Sequence, residues 1–96
     1  MLLGQLIGEK RGEILAICAR HGATNVRVFG STARGEDRPD SDVDFLVELD
    51  RSKSLLDHIA LKHELEDLLG RKVDVVTYGA LLPQIRDSVA SDAVTL

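Results

Sequence analysis

The sequence predicts a small α/β (α+β) domain, a mixed sheet of about three or more strands flanked by helices. Three observations carry that expectation. Apolar residues recur at helical spacing in two long segments, 2–20 and 55–69. Three shorter segments, 25–29, 42–49 and 72–77, are rich in β-branched residues or alternate in polarity as half-buried strands do. The two kinds of segment alternate along the chain, in the order α-β-α-β-α-β-α, which argues for helices layered against a sheet. Ninety-six residues suffice for a single domain, 1–96. With one Tyr, two Phe and no Trp, its core must rest on Leu, Ile, Val and Ala.

The first helix is expected over Leu2 to Arg20, where Leu3, Leu6, Ile7, Ile14, Ile17 and Cys18 form a stripe. Lys10 and Arg11 interrupt it, and Gly22 is a natural stop. Asn25 to Phe29 reads as a strand closed by Gly30, and Ser31 to Arg34 as a short helix ended by Gly35. Residues 36–41 read as a polar loop carrying Pro39. From Asp42 to Leu49, Val43, Phe45 and Val47 point one way and Asp42, Asp44, Leu46 and Glu48 the other. Ser52 or Ser54 caps a helix over Leu55 to Leu69, whose apolar side is expected to hold Leu55, Ile59, Leu61, Leu65, Leu68 and Leu69, with Gly70 as its stop. Lys72 to Thr77 forms a third strand, and Leu82 to Val89 a short amphipathic helix.

Composition narrows the function. A single cysteine excludes an internal disulfide and a cysteine-built zinc site, and suits a reducing compartment. No apolar run reaches the roughly 18–20 residues that span a membrane. The N-terminal stretch is too charged to read as a signal peptide. The expected location is therefore cytoplasmic, with no membrane partner. The net charge is −4, and the seven acids between Glu36 and Asp50 against one base, Arg38, give that segment −6 and the rest of the chain +2. A chain without a basic stripe argues against a nucleic-acid partner.

Three features could carry chemistry. Gly30-Ser31 leaves a strand and enters a helical turn, where glycine permits a tight turn and free N–H groups with the Ser31 hydroxyl can receive phosphate oxygens; the alternative is a plain turn and cap. Arg34, one turn on, could face the same anion. Asp42 and Asp44, two apart on a strand, share a face, and like charges so placed favour a cation between them, unless the face is simply solvated. Asp74 is the one acid in a strand of burial-prone residues, so it either pairs with Arg71 or Lys72 or joins the other carboxylates, as two-metal sites require. His58, His63 and Glu64 do not match the spacing of a zinc helix, and Cys18 reads as a small core residue.

Together, Gly30-Ser31-Thr32-Ala33-Arg34-Gly35-Glu36, Ser41-Asp42-Val43-Asp44-Phe45-Leu46-Val47 and Val73-Asp74-Val75-Val76 resemble the DNA polymerase β-like nucleotidyltransferase superfamily. Its pattern is Gly-Ser, about a dozen residues, Asp-x-Asp, and a later Asp on a neighbouring strand. The fuller string is similar to the minimal nucleotidyltransferase (MNT) branch, small prokaryotic proteins encoded beside a helical HEPN protein. The match runs over Ala23 to Thr77.

The resemblance implies the nucleotidyltransferase fold, with Gly30 and Ser31 on the nucleotide's phosphates and Arg34 as a further phosphate contact. It implies that Asp42, Asp44 and Asp74 hold Mg²⁺, Asp74 as metal ligand or as base toward the acceptor hydroxyl. The implied reaction moves AMP from ATP to a hydroxyl, releasing pyrophosphate. The implied partner is a HEPN-type toxin, modified on a tyrosine and thereby neutralised, which makes the chain an antitoxin; an oligomer with that partner is open. Two other readings stand beside this one: an antitoxin that inhibits by binding alone, and a small-molecule transferase of the aminoglycoside-modifying kind. Larger members of the superfamily carry a second domain that contacts base or acceptor, and nothing after Ala80 is expected to supply one.

Overall fold

The structure, a computed structural model, describes residues 3–30 and 42–96. Its elements are α1 (Leu3–Arg20), β1 (Ala23–Val28), β2 (Val43–Leu49), α2 (Leu55–Leu69), β3 (Val73–Thr77), a 3₁₀ turn (Tyr78–Ala80), α3 (Pro83–Asp92) and β4 (Val94–Thr95). The expected helix at 31–34 and the loop at 36–41 lie outside the described residues. The sheet order is β3-β2-β1-β4, with β2 and β3 parallel and the β1–β2 and β1–β4 pairs antiparallel, so the sheet is mixed as expected.

The stripe on α1 buries Ile7, Ile14, Ile17 and Cys18 against Val26 and Val28 of β1, Val43, Phe45 and Val47 of β2, and Val73 and Val75 of β3. Helix α1 packs on β1, α2 on β3, and the two helices on each other, so one sheet face is covered by both. Helix α2 joins this core through Leu61, Leu65 and Leu69. Leu55 and Ile59, expected on the same side, are exposed at 72% and 41%. The packed stripe begins instead at His58, whose Nε2 lies 2.8 Å from the Val75 carbonyl oxygen. At about 100° per residue, positions 55 and 59 lie about 70° and 110° from the centre of that stripe, both on one side of it, and miss the sheet.

Turn chemistry closes the elements where glycine suggests it. Gly70 ends α2 in the left-handed region (φ 66°), its N–H donating to the Glu66 carbonyl at 2.8 Å. Ser54, not Ser52, is the N-cap of α2, and its N–H donates to the Asp57 carboxylate at 2.9 Å. Between α1 and α2, His21 Nε2 meets Glu64 Oε2 at 2.5 Å and Arg20 meets the other Glu64 oxygen at 3.5 Å.

Two features differ from the sequence expectation. Strand β1 starts at Ala23, and its pairing with β2 shifts by one between Thr24 and Arg27, so that Ala23, Val26 and Val28 all face the core. Asn25 absorbs the bulge at φ 50°, a conformation that Asn tolerates better than most residues, and its side-chain amide donates to the Glu48 carboxylate. At the C-terminus, β4 pairs Val94 with Val28 and Thr95 with Arg27, and the Leu96 N–H donates to the Val26 carbonyl at 3.0 Å. That segment covers an edge of the sheet.

Candidate active site

The sheet face away from α1 and α2 carries the polar half of each strand. On β2 the alternation buries Val43, Phe45 and Val47, which sends Asp44 to the opposite face. On β3 it buries Val73 and Val75, which sends Asp74 the same way. The two strands are parallel and Asp44 pairs in register with Asp74. Neighbouring strands lie about 4.8 Å apart, so the two carboxylates stand side by side. Asp42, exposed, precedes β2 on the same face. The structure thus brings all three predicted aspartates to one end of one face, at the N-terminal ends of two adjacent strands.

Gly30 arrives at that end from β1. The Phe29 N–H donates to the Asp44 carbonyl at 3.1 Å, which fixes the chain beside Asp44. Gly30 then turns with φ 65°, and a Cβ placed there would lie 2.8 Å from Asp44 Oδ2. Any other residue would be strained in that conformation and would collide with the carboxylate. The glycine of the first motif and the second aspartate of the next therefore touch, although fourteen positions separate them. Ser31, Arg34 and Glu36 lie outside the described residues.

Backbone contacts fix the remaining register. The Val43 N–H donates to the Lys72 carbonyl at 2.9 Å, and the Val73 N–H to the Glu66 carboxylate at 3.1 Å. Glu66, on α2, thus clamps the start of β3 and with it the approach to Asp74. Nothing in the helical spacing of α2 marks Glu66. From sequence, Lys72 reads as one of two possible ion-pair partners for Asp74. Strand alternation could have placed Lys72 on the carboxylate face.

Among the described residues, no group of three or more His, Cys, Asp or Glu side chains forms a ready-made metal cage. The donor set nevertheless suits Mg²⁺, which is commonly held by one or two carboxylates with substrate phosphates and water completing its shell. A hollow of about 620 Å³ lies at the opposite end of β2 and β3, lined by Asp50, Lys53, His58 and Tyr78 among others, well away from the aspartates. A smaller one of about 320 Å³, lined by Arg27, Glu48, Tyr78 and Ala90, brings α3 to the carboxylate-bearing face.

The chain is similar to known nucleotidyltransferases. The family model described as a nucleotidyltransferase domain matches residues 12–96. A provisionally named protein adenylyltransferase of Methanocaldococcus jannaschii is 44% identical over 88 residues, covering 92% of this chain and 95% of that protein. The protein adenylyltransferase MntA of Thermococcus cleftensis is 44% identical over 75 residues, 78% of this chain and 76% of its own. Among solved structures, a provisionally named minimal nucleotidyltransferase superposes with a TM-score of 0.90 at 49% identity, over 100% of this chain and 97% of that one. A chain of a toxin–antitoxin complex solved with AMP-PNP shares the fold, with a TM-score of 0.75 at 19% identity, over 88% of this chain and 69% of that one. By fold and by sequence, the chain belongs to the nucleotidyltransferase domain family, as a minimal nucleotidyltransferase.

Proposed function

We propose that the chain is a Mg²⁺-dependent protein adenylyltransferase that moves AMP from ATP to a hydroxyl, a tyrosine's, on a HEPN-type toxin and so neutralises it. The observation that carries this reading is the contact of Gly30 with Asp44 and the register of Asp44 with Asp74. These place the glycine at the end of β1 against a carboxylate pair on one sheet face. The names of the two relatives and the toxin–antitoxin pair of the same fold support the choice of AMP and of a toxin.

In this reading the Gly30 and Ser31 backbone, with Arg34, receives the β- and γ-phosphates, and Asp42, Asp44 and Asp74 hold Mg²⁺. Bound there, the ion neutralises phosphate charge and orients the nucleotide. Asp74 takes the proton of the acceptor hydroxyl. The acceptor oxygen bonds to the α-phosphorus, the bond from that phosphorus to the bridging oxygen breaks, and pyrophosphate leaves with the electron pair. Such a displacement demands chiefly positioning and charge neutralisation, which a constellation this small can provide.

Asp42→Asn and Asp44→Asn test the assignment one at a time. Each should reduce incorporation of labelled AMP into the toxin by at least about 10²-fold, the usual scale for losing an electrostatic catalytic group. Far-UV circular dichroism should not change. Incorporation that persists in both variants would contradict the carboxylate assignment. Toxin inhibition without ATP, unaffected by either substitution, would establish inhibition by binding alone.

A further inference from the structure

Given the transfer proposed above, the fold also sets the side from which the acceptor enters. An in-line displacement puts the attacking oxygen and the leaving pyrophosphate on opposite sides of the α-phosphorus. The sheet order β3-β2-β1 puts Gly30, at the end of β1, on one side of Asp42 and Asp44, and Asp74 on the other. With the leaving phosphates at Gly30, the acceptor comes in over β3.

Lys72 stands at that entrance. Its carbonyl binds the Val43 N–H, and continuing the Val43–Val73 register by one residue sets it across from Asp42. Lys72 and Asp74 are exposed while Val73 and Val75 are buried, so lysine and aspartate project from the same face. The Lys72 ammonium forms no ion pair or hydrogen bond with any described residue, although three carboxylates lie on its face. Arg27, a base on the same face, sits on β1, on the far side of β2.

We propose that Lys72 is a further catalytic residue that contacts the entering acceptor oxygen. As the hydroxyl proton passes to Asp74 and the oxygen–phosphorus bond forms, the ammonium offsets the negative charge the oxygen gains.

Lys72→Met and Lys72→Arg test this in the full chain, with the HEPN-type toxin of the neighbouring gene as acceptor and AMP-PNP as the binding probe. Lys72→Met should lower kcat for AMP transfer on the order of 10²-fold. It should leave the AMP-PNP Kd within about twofold, because the nucleotide sits on the other side of the carboxylates. Lys72→Arg should restore most of the rate. A weaker AMP-PNP affinity with kcat unchanged would overturn the proposal and make Lys72 a nucleotide contact. Unchanged kcat and Kd would overturn it and leave a solvated surface lysine. A wild-type chain that binds AMP-PNP yet modifies no toxin would instead remove the transfer reading, and this proposal with it.

Discussion

A side chain at position 30 would need the space that Asp44 Oδ2 occupies, and it would need a backbone conformation that only glycine adopts freely. Gly30→Ala should therefore cost about 1–2 kcal/mol in stability from the left-handed backbone alone. It should cost activity out of proportion, since relief of the clash displaces the Asp44 carboxylate, which the proposed mechanism places on the metal. Urea unfolding and AMP transfer on the same preparation separate the two effects. Cys18 gives a second residue-scale prediction. Burial pushes its thiol up to about 11, so it stays protonated and unreactive in the folded chain at neutral pH. Because the folded pKa lies above the unfolded one, near 9, its contribution to stability is complete below about pH 9 and is lost as pH rises toward 11. A Cys18→Ala variant should lack that component of the alkaline slope in its urea midpoints. At this scale the three aspartates were legible, because strand alternation places a polar side chain without reference to the rest of the fold. The Asn25 bulge was not legible: an inserted residue is recognised by its partner strand, and the partner lies about twenty positions away.

Elements differ in how much of their packing their own pattern reveals. Helix α2 has leucine or isoleucine on nearly every side, so its composition does not single out one face, and only contact with β3 selects Leu61, Leu65 and Leu69. Leu65→Ala should cost about 2–5 kcal/mol. Leu56→Ala, at a position 77% exposed, should stay within about 0.5 kcal/mol, and urea midpoints decide between them. Helix α3 has no buried residue, and Leu82 and Ile85 remain exposed at 63% and 43% despite their helical spacing. Strand β4 is two residues long, too short for alternation to announce it. The clamp from α2 to β3 belongs to this scale as well. Glu66→Ala removes the acceptor of the Val73 N–H. An N–H left without a partner costs about 1–3 kcal/mol when buried, and loosening it should lower AMP transfer by more than the loss of folded protein explains. Titrating activity against folded fraction checks this.

Over the whole molecule, the mixed sheet sets two helices on one face and the aspartates on the other, so that core and chemistry do not compete for the same positions. Local patterns pointed to strands and helices but left strand order open, because pairing depends on how the connections cross. The parallel β2-α2-β3 unit is what brings Asp44 and Asp74 level; an antiparallel pairing of the same strands would put their N-terminal ends at opposite sides of the sheet. Family resemblance groups three separated motifs that periodicity leaves apart, and the described residues among them, Gly30, Asp42, Asp44 and Asp74, lie at one end of the face. The central claim is that this site transfers AMP to a protein hydroxyl. Its most direct test is intact-mass spectrometry of the neighbouring gene's toxin after incubation with the chain, ATP and Mg²⁺, beside an Asp42→Asn, Asp44→Asn double variant. The account predicts added mass in whole AMP units with the wild-type chain and none with the variant. An unmodified toxin held in a stable, silent complex by both proteins would contradict it.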